Sequence, residues 1–339
     1  MYGVIGLSYR VRNISTINTR ADILLLFCLY LIFSSIAFFT NEVLFVSVVF
    51  LLQFGIFYYV YLKVTKHGDE LIFSWLKMLI IYQVVFVVIG LIDFTLYQNG
   101  IVSFIKDYAK DWKTDSLYGN PNPFGIMSSV LFLSLLYFKN LLYQFRKLLL
   151  AILIMGVFLS GSDMALVIAI AGSLLKIISL KSAYKFLGIF IILGAALLVN
   201  LDADFLDGVF NKRLRLWTYA LYLYQGNYLF GLGTGGFEDI VYSQFGLGYG
   251  LHSMFFWLIT ECGALGVLIY GYFLYVIFSL ETFGDTSITL LKKIFLMTLL
   301  SQFTEFFIDH VEFFQLFYHF LIGAILGKYY YLKKDRMIN

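Results

Sequence analysis

About ten stretches of the chain are apolar almost without interruption, near residues 21–39, 43–62, 71–96, 117–138, 148–161, 164–180, 186–201, 253–280, 294–309 and 313–331. A helix of about 20 apolar residues crosses the hydrocarbon of a bilayer, and the shorter runs reach it when flanking side chains snorkel. The pattern predicts an all-α polytopic membrane protein of about ten transmembrane helices, with both termini on one side. No linker, low-complexity stretch or internal repeat divides the chain, so residues 1–339 read as a single integral membrane domain. No small-residue cleavage signature follows the basic start at Arg10, Arg12 and Arg20, and the first helix is expected to serve as its own insertion signal.

The polar residues between the runs predict an orientation. One alternating set of connections holds Arg10, Arg12 and Arg20, then Lys63 and Lys66, Lys139, Arg146 and Lys147, Lys176, Lys181 and Lys185, Lys292 and Lys293, and finally Lys328, Lys333, Lys334 and Arg336. The other set holds fewer cations: Lys106, Lys110, Lys113, Lys212, Arg213 and Arg215. Under the positive-inside rule the first set is cytoplasmic, as are both termini. Two outer connections are long, about 98–116 and about 202–251, and long connections in a compact protein are commonly functional or disordered. The second is expected to be an ordered, partly helical extracytoplasmic loop, because Arg213, Trp217, Tyr219 and Tyr222 recur at helical spacing.

Composition agrees with this reading. Hydrophobic residues make up 61% of the chain and charged residues 13%, about half the share of an ordinary soluble domain. The formal net charge of +3 is dispersed in short flanks, which excludes a nucleic-acid-binding patch. The two cysteines, Cys28 and Cys262, both lie in apolar runs and support neither a disulfide framework nor a metal site.

Candidate chemistry gathers on the outer side. Both prolines of the chain lie in GNPNPFG, residues 119–125, where Asn122 is expected to cap a helix and Pro123 to sit in its first turn. The positive end of that helix would face outward, which suits a diphosphate or nothing more than a helix start. In NKRLRLW, residues 211–217, Arg213 and Trp217 share a helical face. They offer a phosphate fork and a sugar-stacking surface, or else a basic amphipathic helix on lipid headgroups. GLGTGGF, residues 231–237, lacks the strand and βαβ unit of a dinucleotide site and reads as a tight, backbone-exposed turn. In LHSMFFWLITECGALG, residues 251–266, His252 stands at the outer boundary as a candidate proton acceptor, Ser253 as a candidate cap, and Glu261 as a carboxylate at membrane depth. Glu305, Asp309 and Asp93 are acidic residues within or beside apolar runs, either the pointer toward a transporter or partners for Lys or Arg of the outer loop. Asp-x-Asp in LDADFLD, residues 201–207, reads as a solvated acidic loop.

The order of these motifs resembles the O-antigen ligase and Wzy-type O-antigen polymerase superfamily. It runs GNPNPFG before a helix, Arg213-x-x-x-Trp217-x-x-Ala220, Phe230-Gly231-Leu232-Gly233 with Gly235 and Phe237, His252, and Glu261-x-Gly263-x-x-Gly266. The resemblance covers roughly residues 117–270 and implies a GT-C-like glycosyltransferase of the bacterial inner membrane. It would use neither metal nor cofactor, and its site would face the periplasm. Its substrates would be undecaprenyl-diphosphate-linked oligosaccharides, with membrane lipids around it and a chain-length regulator as a partner. The resemblance implies that Arg213, Arg215, Asn120 and Asn122 hold the donor diphosphate, that Trp217, Glu261 and Asp163 belong to the diphosphate or glycan site, and that His252 activates the acceptor hydroxyl. In this chain Asp163 stands where the family often has a phosphate-binding Arg, Ser253 where Asn is frequent, and Tyr228-Leu229 where a proline usually precedes the Phe-Gly turn. Short length and the abundance of Phe (37) and Tyr (26) favour the polymerase over the ligase, which passes glycan to lipid A-core. A transporter or flippase for a lipid-linked saccharide is the alternative of another class.

Overall fold

The computed structural model describes residues 29–30, 32–33, 43–99, 113–114, 116–118, 120–180, 182, 213–245, 251, 253–302 and 313–338. Among these every regular element is helical: α1 (Val43–His67), α2 (Asp69–Gln98), α3 (Pro121–Tyr137), α4 (Arg146–Ser160), α5 (Asp163–Leu175), α6 (Arg213–Tyr224), α7 (Gly236–Phe245), α8 (Met254–Thr260), α9 (Gly263–Ser279), α10 (Thr286–Ser301) and α11 (Phe313–Ile338). The runs near 21–39 and 186–201 and most of the connection 98–116 fall outside the described residues or nearly so, as do 201–207, His252, Glu305 and Asp309.

Side-chain size sets how closely the helices approach. Gly323 and Gly327 of α11 stand four apart against α1, where an added Cβ would come within 2.6 Å of the Phe57 carbonyl and 2.7 Å of Val64. This small-xxx-small stripe lets two backbones pack at a distance that larger residues forbid. The same device recurs in α4, where a Cβ on Gly156 would meet Val87 at 2.6 Å and Ser128 at 2.7 Å. Helix α3 is enclosed by α2, α4, α5 and α10, and nearly all of it is buried.

The interior of the bundle is apolar with a few polar residues set into it, and large apolar residues also cover the outside. On α2 the buried face carries Gln83 and Asp93 beside Ile72, Leu76 and Val87, while Met78, Ile81, Val85 and Ile92 are exposed on the other face. Gln83 donates to Ser128 Oγ at 2.8 Å and accepts from Tyr118 Oη at 2.6 Å, so the internal amide is satisfied by neighbouring helices. Two stretches, Asp69–Gln98 and Tyr143–Ser160, are long and apolar enough to cross a membrane, and α3, α5 and α9 are shorter apolar helices.

Cations collect at one end of the bundle and close helix C-termini. Arg146 donates to the Leu135 carbonyl at 3.1 Å, Lys176 to Leu136 at 3.0 Å, and Lys293 to Leu175 at 2.9 Å and Ile178 at 2.7 Å. Lys292 donates to the carbonyls of Phe278 and Leu280. Lys328 pairs with Asp69 at 2.9 Å and Asp285 at 3.3 Å. The orphan carbonyls of these helices thereby receive charged donors at the negative end of the helix dipole. All five of these cations, Arg146, Lys176, Lys292, Lys293 and Lys328, belong to the first set.

Several boundaries differ from the sequence expectation, with α1 running on to His67 and α11 to Ile338, so that Lys63, Lys66, Lys333, Lys334 and Arg336 are helical. The run 253–280 is not one helix, because α8 stops at Thr260 and α9 begins at Gly263. The run beginning at 294 starts earlier: α10 opens at Thr286 with Asp285 as its cap, so Lys292 and Lys293 are buried helical residues and not a loop.

Candidate functional site

The break between α8 and α9 is repaired by the glycine-rich loop. Leu232 N donates to the Thr260 carbonyl at 2.9 Å and Gly233 N to that of Glu261 at 3.0 Å. In return Ala264 N donates to the Tyr228 carbonyl at 2.9 Å and Leu265 N to that of Leu229 at 3.1 Å. The last carbonyls of α8 and the first amides of α9 would otherwise be orphans in an apolar setting. Tyr30 Oη adds a bond to the Cys262 carbonyl. The expected tight turn at 231–237 is present, but Gly231, Leu232 and Gly233 are buried, so its backbone is covered and not exposed.

Two glycines make the exchange possible. Gly231 (φ +74°) and Gly263 (φ +65°) face each other, and a Cβ on either would stand 2.5 Å from backbone atoms of the other segment. Both positions need the left-handed backbone and the absent side chain together.

Glu261 locks this crossing. Its carboxylate accepts from Gly235 N at 2.7 Å and Phe237 N at 3.3 Å, at the N-terminus of α7, and the residue is 4% exposed. A buried carboxylate is tolerated there because amides and the positive helix end compensate its charge. The sequence alone leaves Glu261 as either a substrate-binding or a packing carboxylate, and its geometry makes it the latch of the loop.

Trp217 requires a second correction. It is 6% exposed, stacks on Phe256 with ring centroids 4.6 Å apart, and donates from Nε1 to the Leu251 carbonyl at 2.9 Å. An enclosed indole offers no open face to a sugar. What it does is tie α6, whose first residue is Arg213, to the residue that precedes His252. Arg213 opens that helix one turn before Trp217, with its side chain outside the described residues. Arg215 lies exposed on a different face from Trp217.

Asn120, Asn122 and Asp163 meet at another mouth. The cap of α3 is Asn120 and not Asn122: Asn120 Oδ1 accepts from Asn122 N at 3.0 Å, and the helix starts at Pro121. Pro121 and Pro123 have no N–H, and Asn122 N is already bonded, so most of the free amides that make a helix start an anion site are missing. Both asparagines are half-buried. Ser162 caps α5 by accepting from Ala165 N at 3.3 Å, and Asp163 follows it, exposed in the first turn. That carboxylate complements the helix dipole and has no donor for a phosphate, so the structure gives it no part in holding an anion. Ser253 holds the N-cap position of α8 without a side-chain capping bond. Among the described residues α3 has no extended packing against α6 or α7, so the mouth and the loop are built separately.

Sequence reasoning missed the roles of Gln83 and Tyr118 in the polar core and the buried amide oxygen of Gln302, which has no donor among the described residues. An amide in the middle of an apolar run was the available signal for the two glutamines. Among the described residues no group of three or more His, Cys, Asp or Glu gathers to hold a metal ion. In comparisons with known proteins the chain matches no family model, no curated protein and no solved structure.

Proposed function

We propose that the chain is a multi-pass protein of the bacterial inner membrane that polymerises a polysaccharide, moving a growing glycan from undecaprenyl diphosphate to the non-reducing sugar of another lipid-linked unit. The observation that carries this reading is the Trp217–Leu251 bond. It fastens the helix that begins with Arg213 to the segment that leads into His252, two residues the motif order assigns to one reaction. The latch at Glu261 then fixes the rest of the motif, glycine loop and helix break together, into a single rigid corner.

In this reading His252 takes the proton of the acceptor hydroxyl as that oxygen bonds to the anomeric carbon. The bond from that carbon to the lipid diphosphate breaks, and Arg213 offsets the charge on the departing diphosphate. The membrane setting is supported by the apolar outer helix faces, the two long apolar helices and the cations at one end, which the reading makes cytoplasmic. The loop then faces the periplasm.

The test is polymer length in cells and in membrane vesicles supplied with lipid-linked repeat units. Arg213→Ala and His252→Ala are expected to leave single units and short oligomers while protein levels stay normal; unchanged length distributions in both would overturn the reading. Transfer to lipid A-core in the same vesicles would make the chain a ligase.

A further inference from the structure

We propose that the connection between α3 and α4, with the residue that follows α5, holds the headgroup phosphate of an anionic phospholipid among Lys139, Arg146 and Lys176. Three cations converge there. Arg146 donates from Nε to the Leu135 carbonyl at 3.1 Å and from Nη2 to that of Leu136 at 3.2 Å, and Lys176 Nζ donates to the same Leu136 oxygen at 3.0 Å. A single carbonyl thus draws a guanidinium and an ammonium together. Lys139 is exposed in the same connection. Partial burial, then the charges of Arg146 and Lys139, push the pKa of Lys176 down, so all three lie within electrostatic reach of one another.

No carboxylate offsets this charge. Among the described residues none of the three cations pairs with Asp or Glu, whereas Lys328 at the same end of the bundle has both Asp69 and Asp285. Arg146 also opens α4, whose first turn holds Lys147, no acidic residue and no side-chain cap, so the positive helix end adds to the field of the cations. The carbonyl bonds use only part of what a guanidinium and an ammonium can donate, and a phosphate oxygen accepts from both. A lipid phosphate suits the place because its fringe is apolar. Phe145 precedes Arg146 and Ile177 follows Lys176, and both are exposed, as are Tyr143 and Leu148. Aromatic and aliphatic side chains beside cations match the level where headgroup meets acyl chain, and basic pockets between helices on the cytoplasmic side recognise anionic headgroups. In the membrane reading this connection is cytoplasmic, so its lipid belongs to the inner leaflet and is distinct from the glycan donor of the outer one.

The experiment titrates the full chain in detergent with dioleoylphosphatidylglycerol or dioleoylphosphatidylcholine and reads the Kd of the first bound lipid by native mass spectrometry. Phosphatidylglycerol is expected to bind at least about fivefold more tightly, the effect of one cation at a charged membrane surface. Lys139→Gln, a change to an exposed side chain, should weaken it about fivefold, and Lys139→Gln with Lys176→Gln about 25-fold, the phosphatidylcholine affinity staying as it was. Lys63→Gln with Lys66→Gln removes two exposed cations of α1 and should leave the first phosphatidylglycerol bound as tightly as before. Equal affinity for the two lipids, an unchanged Kd in Lys139→Gln, an equal loss in the α1 variant, or displacement of the lipid by millimolar inorganic phosphate would overturn the proposal. It rests on the membrane reading, which fails separately if the chain stays in solution without detergent, and none of these readouts depends on glycan transfer.

Discussion

Single side chains decide whether the corner at the helix break holds. Trp217→Phe keeps the stack on Phe256 and loses the bond to Leu251, a cost of about 1 kcal/mol. Trp217→Ala loses the packing as well and should cost about 3–5 kcal/mol. Thermal unfolding of the purified protein measures both, and equal losses would mean that packing is not the larger part. Glu261→Ala leaves the amides of Gly235 and Phe237 without their acceptor, at about 1–3 kcal/mol for each buried group, whereas Glu261→Gln keeps an acceptor and should lose less. Limited proteolysis between 225 and 235 reports the difference: the Ala variant is expected to be cut fastest. None of this was legible in the sequence. Trp217 and Arg213 share a helical face, and spacing alone does not say whether that face meets sugar, lipid or protein.

At the scale of elements, helix contacts depend on where glycine stands and not on how many there are. Gly323→Ala would push a methyl group into the Phe57 carbonyl and should destabilise the protein by about 1–3 kcal/mol. Gly55 lies inside α1 with nothing within 4 Å of its Cβ, so Gly55→Ala should be stabilising by up to about 1 kcal/mol through helix propensity. Opposite signs in thermal unfolding are the expected outcome. Apolar run length was a sound guide to α2, α3 and α4, because those helices satisfy their own backbones. It failed at 253–280, where no proline marks the break between Thr260 and Gly263. The interruption exists because bonds from a distant loop replace the missing helical ones, and a hydropathy pattern carries no trace of such partners. Asn120 replaced Asn122 as the cap for a more local reason, since Pro121 already fits the first turn.

For the whole molecule, the alternation of cations gave an expected orientation, and the structure shows that several of those cations bind the carbonyls at helix C-termini. Exposed Asn140 lies at the end where they gather and exposed Asp163 at the other. On intact cells a membrane-impermeant thiol reagent is expected to label Asp163→Cys at once and Asn140→Cys after permeabilisation, above the background of the two native cysteines. The reverse pattern would invert the proposed orientation and move the loop to the cytoplasm.

The exchange of bonds between the glycine loop and the α8–α9 break also bears on how the chain is made. Residues 228–237 leave the ribosome before 260–265, yet each segment supplies what the other lacks. In the membrane reading the loop must already have been exported when α9 enters the bilayer, and must then fold back to meet it. Insertion of this last third is therefore an ordered event, in which an earlier, exported segment acts as the template that completes a later helix.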